Sequence, residues 1–306
     1  AHAQHMPSHI FTRLGLWDES INTNINSTSS AVCYAESVQP DANWSQEIHA
    51  LDYMVYAYLQ MGNNQKAIEQ LEYVQTIENV FPEDHFAATY ALAAIPVRVL
   101  LENKQWNKAA LLEVPAIKFP WENLLWEKSM IHFGKSLGLS HIGEIQSAEK
   151  EIDILNTIHK KLLAKNEAYK AGQVHIQINA GKAWIEFAKG NQNEALNFMK
   201  IAAELESKTS KHPVTPGEVL PADELLGDLY FALNQPGKAL EAYEINLKGH
   251  PNRFNGLYGA AVAAKKIGDN EKAKKYFSEL IELAKNSNSD RLELQEAKEF
   301  IELEVG

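Results

Sequence analysis

Leu220–Tyr243 reads LPADELLGDLYFALNQPGKALEAY, and Ala260–Phe277 reads AAVAAKKIGDNEKAKKYF. Each stretch carries an apolar run up to a turn former, Asn234 in one and Gly268 in the other, 34 residues apart. Five positions after each turn comes an alanine, Ala239 or Ala273, and four after that an aromatic, Tyr243 or Phe277. His250, Pro251 and Asn252 close the first unit. The same mark, a turn former followed five positions later by a small residue, recurs upstream. It runs Gly15 to Ser20, Gly62 to Ala67, Lys104 to Ala109, Gly143 to Ala148 and Gly190 to Ala195. Repetition of this kind predicts stacked helical hairpins, none of which buries its apolar face alone.

The period of 34, the turn, the alanine, the aromatic and the closing proline resemble the tetratricopeptide repeat. The resemblance implies an all-α, right-handed α-solenoid of about seven hairpins with a C-terminal capping helix. Residues 1–306 then form a single array. Residues 1–207 hold irregular, longer repeats, with turns 39 to 47 residues apart; 220–285 hold two regular units. Residues 290–304 form the cap, which shields the last apolar face. The unit around 131–163 offers two turns, Gly138 and Gly143. Among the loops marked by proline are Pro82-Glu83-Asp84 and the longest, Lys208–Pro221. The longer one is read as a surface loop, with a hinge between the two arrays as the other reading.

The formal net charge is -11, from 40 acidic and 29 basic residues with no basic run, which argues against nucleic acid as a partner. A single cysteine, Cys33, excludes a disulfide framework and reads as a small packed side chain. No apolar run is long enough to span a bilayer, so no membrane insertion is expected. The compartment stays open between cytoplasm and periplasm. The chain starts at Ala1 inside a repeat-like segment, and further residues are expected upstream.

In tetratricopeptide arrays the first helix of each pair lines a concave groove. The groove positions lie thirteen, ten, six, three and two residues before the turn. Carried over, these offsets reach His2, His5, His9 and Arg13, then His49, Asp52, Tyr56 and Gln60. Further along they reach Arg98, Glu102, His132 (with Gly138 as the turn), Trp184, Glu224, Asp228 and Asn255. The implied function is a protein- or peptide-binding scaffold. Its concrete form is recognition of a carboxylate, or another small anion, by His9, Arg13, Gln60 and Arg98. Activity as an enzyme is the less favoured reading.

The opening HAQHMPSHIFTRLG is the densest chemical signal. It resembles a stretch in largely uncharacterised bacterial tetratricopeptide-repeat proteins. On one continuous helix, positions 2, 5 and 9 share a face. With His49 and Asp52, the residues His2, His5 and His9 make a nitrogen- and oxygen-rich set fit for a divalent metal. Pro7 interrupts that face, because proline suits a helix start better than an interior. The regular helix is therefore expected to begin near Pro7. No His-Glu-x-x-His, Gly-x-Ser-x-Gly or phosphate-loop motif occurs.

Overall fold

A computed structural model describes residues 1–83 and 85–305; Asp84, at the end of one expected loop, lies outside the described residues. Seven hairpins follow one another and a cap ends the array. The first pairs α1 (His2–His5) and α2 (Ser8–Leu14) with α3 (Trp17–Val38). Then come α4 (Ser45–Gln60) with α5 (Asn64–Gln75), α6 (Phe86–Glu102) with α7 (Trp106–Ala109), and α8 (Leu125–His141) with α9 (Ile145–Ala164). The last three are α10 (Ala168–Ala188) with α11 (Gln192–Ser207), α12 (Ala222–Ala232) with α13 (Pro236–Gly249), and α14 (Phe254–Ile267) with α15 (Asn270–Leu283). The cap is α16 (Leu292–Val305). It packs Leu294, Ala297, Phe300 and Ile301 onto the last hairpin and leaves Leu292 exposed.

All seven turn formers adopt positive φ: Gly15, Gly62, Lys104, Gly143, Gly190, Asn234 and Gly268. That left-handed residue ends the first helix and aims the chain back along it. The small residue five positions on is fully buried in every hairpin, from Ser20 and Ala67 through Ala109, Ala148, Ala195 and Ala239 to Ala273. A larger side chain there would hold the paired helices apart. In two turns the second helix is capped by its own side chain. Asn63 accepts from the Lys66 amide at 3.2 Å, and Asp269 from the Lys272 amide at 3.1 Å.

The structure settles one open reading, adds a short strand pair and changes two readings. Gly143 is the fourth turn; Gly138 lies inside α8, where its missing side chain lets the helix press on the Ala109–Ala110 backbone. Cys33 is exposed rather than packed. A short parallel pair, β1 (Asn43–Trp44) with β2 (Val80–Phe81), ties the second hairpin's ends together within the helical array. The segment 208–221 is a surface loop only in its first part: Lys208, Ser210 and Pro213 are exposed, whereas Thr215, Pro216 and Gly217 are buried on the concave face.

The array also closes on itself. Trp17 Nε1 donates to the Asn252 carbonyl at 2.7 Å, and Asn252 Nδ2 donates to the Gly15 carbonyl at 3.1 Å. A methyl group on Gly15 would stand 2.5 Å from the Pro251 carbonyl oxygen, so only glycine admits this approach. The first turn thus abuts the start of the seventh hairpin.

Candidate metal centre

Pro7 does what its ring dictates. It caps α2, and α1 stops at His5. The break sends His2 aside, where its Nδ1 meets Gln46 Oε1 at 2.9 Å. His5 and His9 remain together, one on each side of the break. Their Nε2 atoms are 3.0 Å apart. His49 projects from α4 onto the same spot, its ring centroid 4.2 Å from that of His5 and 5.8 Å from that of His9. One ring nitrogen from each of the three lies within 4.8 Å of the others. His5 and His49 are buried and His9 half-buried.

The partners limit where the protons sit. Asn24 Nδ2 donates to the Ser20 carbonyl at 2.7 Å, which orients its amide and leaves Oδ1 facing His5 Nδ1 at 2.6 Å. An amide oxygen only accepts, so His5 carries its proton on Nδ1. Tyr53 OH donates to the Val214 carbonyl at 3.0 Å and lies 2.9 Å from His9 Nδ1. With its one proton on Val214, Tyr53 would accept from His9 Nδ1; with that proton on His9, the His9 Nε2 proton would donate to His5. In the first arrangement both Nε2 atoms present lone pairs to each other.

A shared proton is disfavoured there. Burial pushes His5 down to about 4, and the neighbouring histidines add to the effect. Burial also lowers His9, against a hydrogen bond to the Pro213 backbone. His49 falls well below its ordinary value, by burial and then by repulsion from His5 and His9. Three neutral imidazoles whose ring nitrogens lie within 4.8 Å of one another can donate to one cation, and acceptors on the far nitrogens are how ligating histidines are held.

Asp52, grouped with these histidines by sequence, lies elsewhere: it pairs with Arg98. Burial raises Asp52 to about 6 against the pull of that guanidinium, and the carboxylate stays ionised at neutral pH. Arg98 Nη2 donates to the Gly217 carbonyl at 2.7 Å, and Tyr90 OH donates to the same oxygen at 3.2 Å. Arg13 reaches the carbonyls of His212, Thr215 and Pro216 at 2.7 to 3.3 Å. Both arginines of the expected carboxylate site therefore grip this chain's own backbone. The far end of that segment is fixed by Glu218, 3.0 Å from His250 Nε2.

The remaining groove positions divide. Tyr56, Glu102 and Glu224 converge on Arg253, which is fully buried. Arg253 bonds Glu102 at 2.7 Å, both Glu224 oxygens at 2.8 Å and Tyr56 OH at 2.9 Å. Gln60 and Asn255 complete the Glu102 shell at 2.9 and 2.8 Å. Asp228 accepts from Tyr243 at 2.7 Å. Trp184 is buried beside His141. His132 does not face the groove: its Nδ1 meets Glu151 on α9 at 2.6 Å, the result of counting from Gly138. The offsets did not reach Asn24, Tyr53 or Arg253. Arg253 precedes the first offset position of its hairpin, and Asn24 and Tyr53 follow no repeat spacing.

The family model described as Tetratricopeptide repeat matches residues 255–287. No curated protein matches the chain. Among solved structures, a tetratricopeptide repeat protein from Parabacteroides merdae shares 14% identity, covering 100% of this chain and 98% of its own at a TM-score of 0.42. A thermophilic TPR protein of Thermus thermophilus shares 14%, covering 78% of this chain and 98% of its own, at 0.38. Yeast Tom70 shares 13%, covering 97% and 87%, at 0.33. Among the described residues no helix is long and apolar enough to cross a membrane. Residues 255–287, the seventh hairpin, match the tetratricopeptide repeat, and the described residues form an all-α solenoid of hairpins.

Proposed function

We propose that the protein binds one divalent transition-metal ion, zinc being the first to test, through His5, His9 and His49. The observation that carries this reading is the 3.0 Å approach of the His5 and His9 Nε2 atoms, with a His49 ring nitrogen within 4.8 Å of both rings' nitrogens. Imidazole nitrogen suits zinc, and three protein ligands leave a position for water or a further group. Asn24 and Tyr53 orient the rings, and His2 and Asp52 stand outside the donor set. The test is elemental analysis and zinc titration of untagged protein. About one zinc per chain is expected, lost in His5→Ala and His49→Ala variants that keep native circular dichroism. Absence of stoichiometric binding by zinc, cobalt, nickel and manganese alike would sink the proposal.

Helical-repeat arrays present extended concave binding surfaces to other proteins, and the fold suits an interaction scaffold. A second reading, a peptide laid in this groove, draws on one observation. The segment around Val214–Gly217 already lies there, held through its carbonyls by Tyr53, Arg13, Arg98 and Tyr90. If the groove takes peptides, it takes them as backbone and must first release this segment. Replacing 209–219 with glycine and serine should let a synthetic 209–219 peptide bind in trans. A well-folded replacement that ignores the peptide removes this reading.

A further inference from the structure

The third hairpin lacks most of its second helix. α5, α9, α11, α13 and α15 run 12 to 20 residues, whereas α7 has four. Pro115 and Pro120 withhold backbone donors from any continuation, and the chain passes to α8 as irregular backbone. The unfilled space is a cavity of about 890 Å³ on the outer layer of the array, away from the histidine cluster. α5 and α6 form one side with Leu71, Val74, Leu92 and Val99. The other side is the segment 111–118, which contributes Leu112 and Ile117. Charged groups stand only around its mouth: Lys108 and Lys118 with Glu72, Glu78 and Glu113, all exposed. Among the described residues none of these five has an ion-pair partner.

The volume falls within the range of sites that enclose small ligands, which run to about 1,000 Å³, and the apolar residues of the lining come from α5, α6 and 111–118 together. The segment 111–118 crosses the space a full second helix would take. A helix from a partner would have to expel it, whereas a slender chain fits beneath it. We propose that this cavity binds a single-chain amphiphile of the fatty-acid class. Its acyl chain lies between α5, α6 and 111–118, and its polar head sits at the mouth among Lys108, Lys118, Glu72 and Glu78. The apolar chain supplies the selection; the mixed charges of the mouth tolerate heads of either sign. This site is independent of the metal centre.

The test is displacement of a dansylated undecanoate from the whole protein by hexanoate, octanoate, decanoate and decylamine below their micelle concentrations. Affinity should rise about fourfold per added methylene, or about two orders of magnitude from six carbons to ten. Leu71→Trp fills the interior and Ile68→Trp the solvent-exposed mouth, a site that tolerates the change. Each should weaken decanoate binding at least tenfold with circular dichroism unchanged. Probe binding that ignores chain length overturns the proposal. So does decanoate binding that survives both tryptophans, or failure of the probe to bind.

Discussion

His5 and His9 face each other through Nε2, with Asn24 and Tyr53 on their outer nitrogens. The hydroxyl of Tyr53 carries two contacts, one to His9 and one to Val214. Tyr53→Phe removes both and keeps the ring. Loss of such an outer partner typically weakens a metal site by about 10- to 100-fold, so zinc affinity in the variant should fall by at least tenfold. An unchanged affinity in a titration would show that Tyr53 does not orient His9. The same burial sets a pH dependence. In the unfolded chain a histidine takes its proton near pH 6.5, whereas in the fold His5 takes one only near 4 and His9 and His49 are lowered too. Between those values the unfolded state binds more protons, so stability falls as pH drops from 6.5 towards 4 and is fully present above 6.5. For His5 alone the loss is roughly 3 kcal/mol. Urea titrations of metal-free protein should therefore give a lower midpoint at pH 5 than at pH 7.5, and the gap should narrow in His5→Gln. Equal midpoints would contradict the burial of the cluster.

Among the elements, hairpins were legible because each turn needs a residue that tolerates positive φ and a small residue facing it. Both leave marks at fixed spacing, and all seven marks sit where that reading placed them. The fourth hairpin was ambiguous because Gly138 and Gly143 look alike in sequence but serve different contacts. Gly143 makes the turn, and Gly138 makes room for α7. The parallel β1–β2 pair left no mark, since two-residue strands carry no periodicity. The glycines inside helices give a signed prediction. A Cβ on Gly138 would meet the Ala110 backbone nitrogen at 2.3 Å and the Ala109 carbonyl carbon at 2.7 Å, neither of which can swing away. Gly138→Ala should cost about 1–3 kcal/mol, as overpacked cores do. Gly172 sits inside α10 with nothing within 4 Å of such a carbon. Gly172→Ala should therefore stabilise by about 0.5–1 kcal/mol through backbone entropy and helix propensity. Thermal melts of the two variants should move in opposite directions, and a shared sign would break the argument.

At the scale of the whole molecule, the offsets found a concave face but could not find its radius. That radius comes from small rotations accumulated over every hairpin, and no local spacing encodes their sum. Here the sum brings the second hairpin against the seventh, and groove residues expected to meet a ligand meet each other. Arg253 is the clearest case. It joins Glu224 of the sixth hairpin to Glu102 of the third and Tyr56 of the second with no exposure to solvent. Open helical arrays contact only nearest neighbours and can unfold piecewise. A buried arginine spanning remote hairpins couples them instead. Truncating it strands two carboxylates in the interior, a loss of about 3–5 kcal/mol. Arg253→Ala should therefore destabilise more than its lost volume alone requires. Hydrogen exchange should locate the effect: α4 and α12–α15 lose protection, while α8–α11, which lie away from the closure, keep theirs. Pairing the change with Glu102→Gln and Glu224→Gln, which removes the stranded charges, should recover much of the stability without restoring the closure. Uniform loss of protection along the chain would mean that the closure is not a separable coupling, and that the array unfolds as one unit whatever holds its ends.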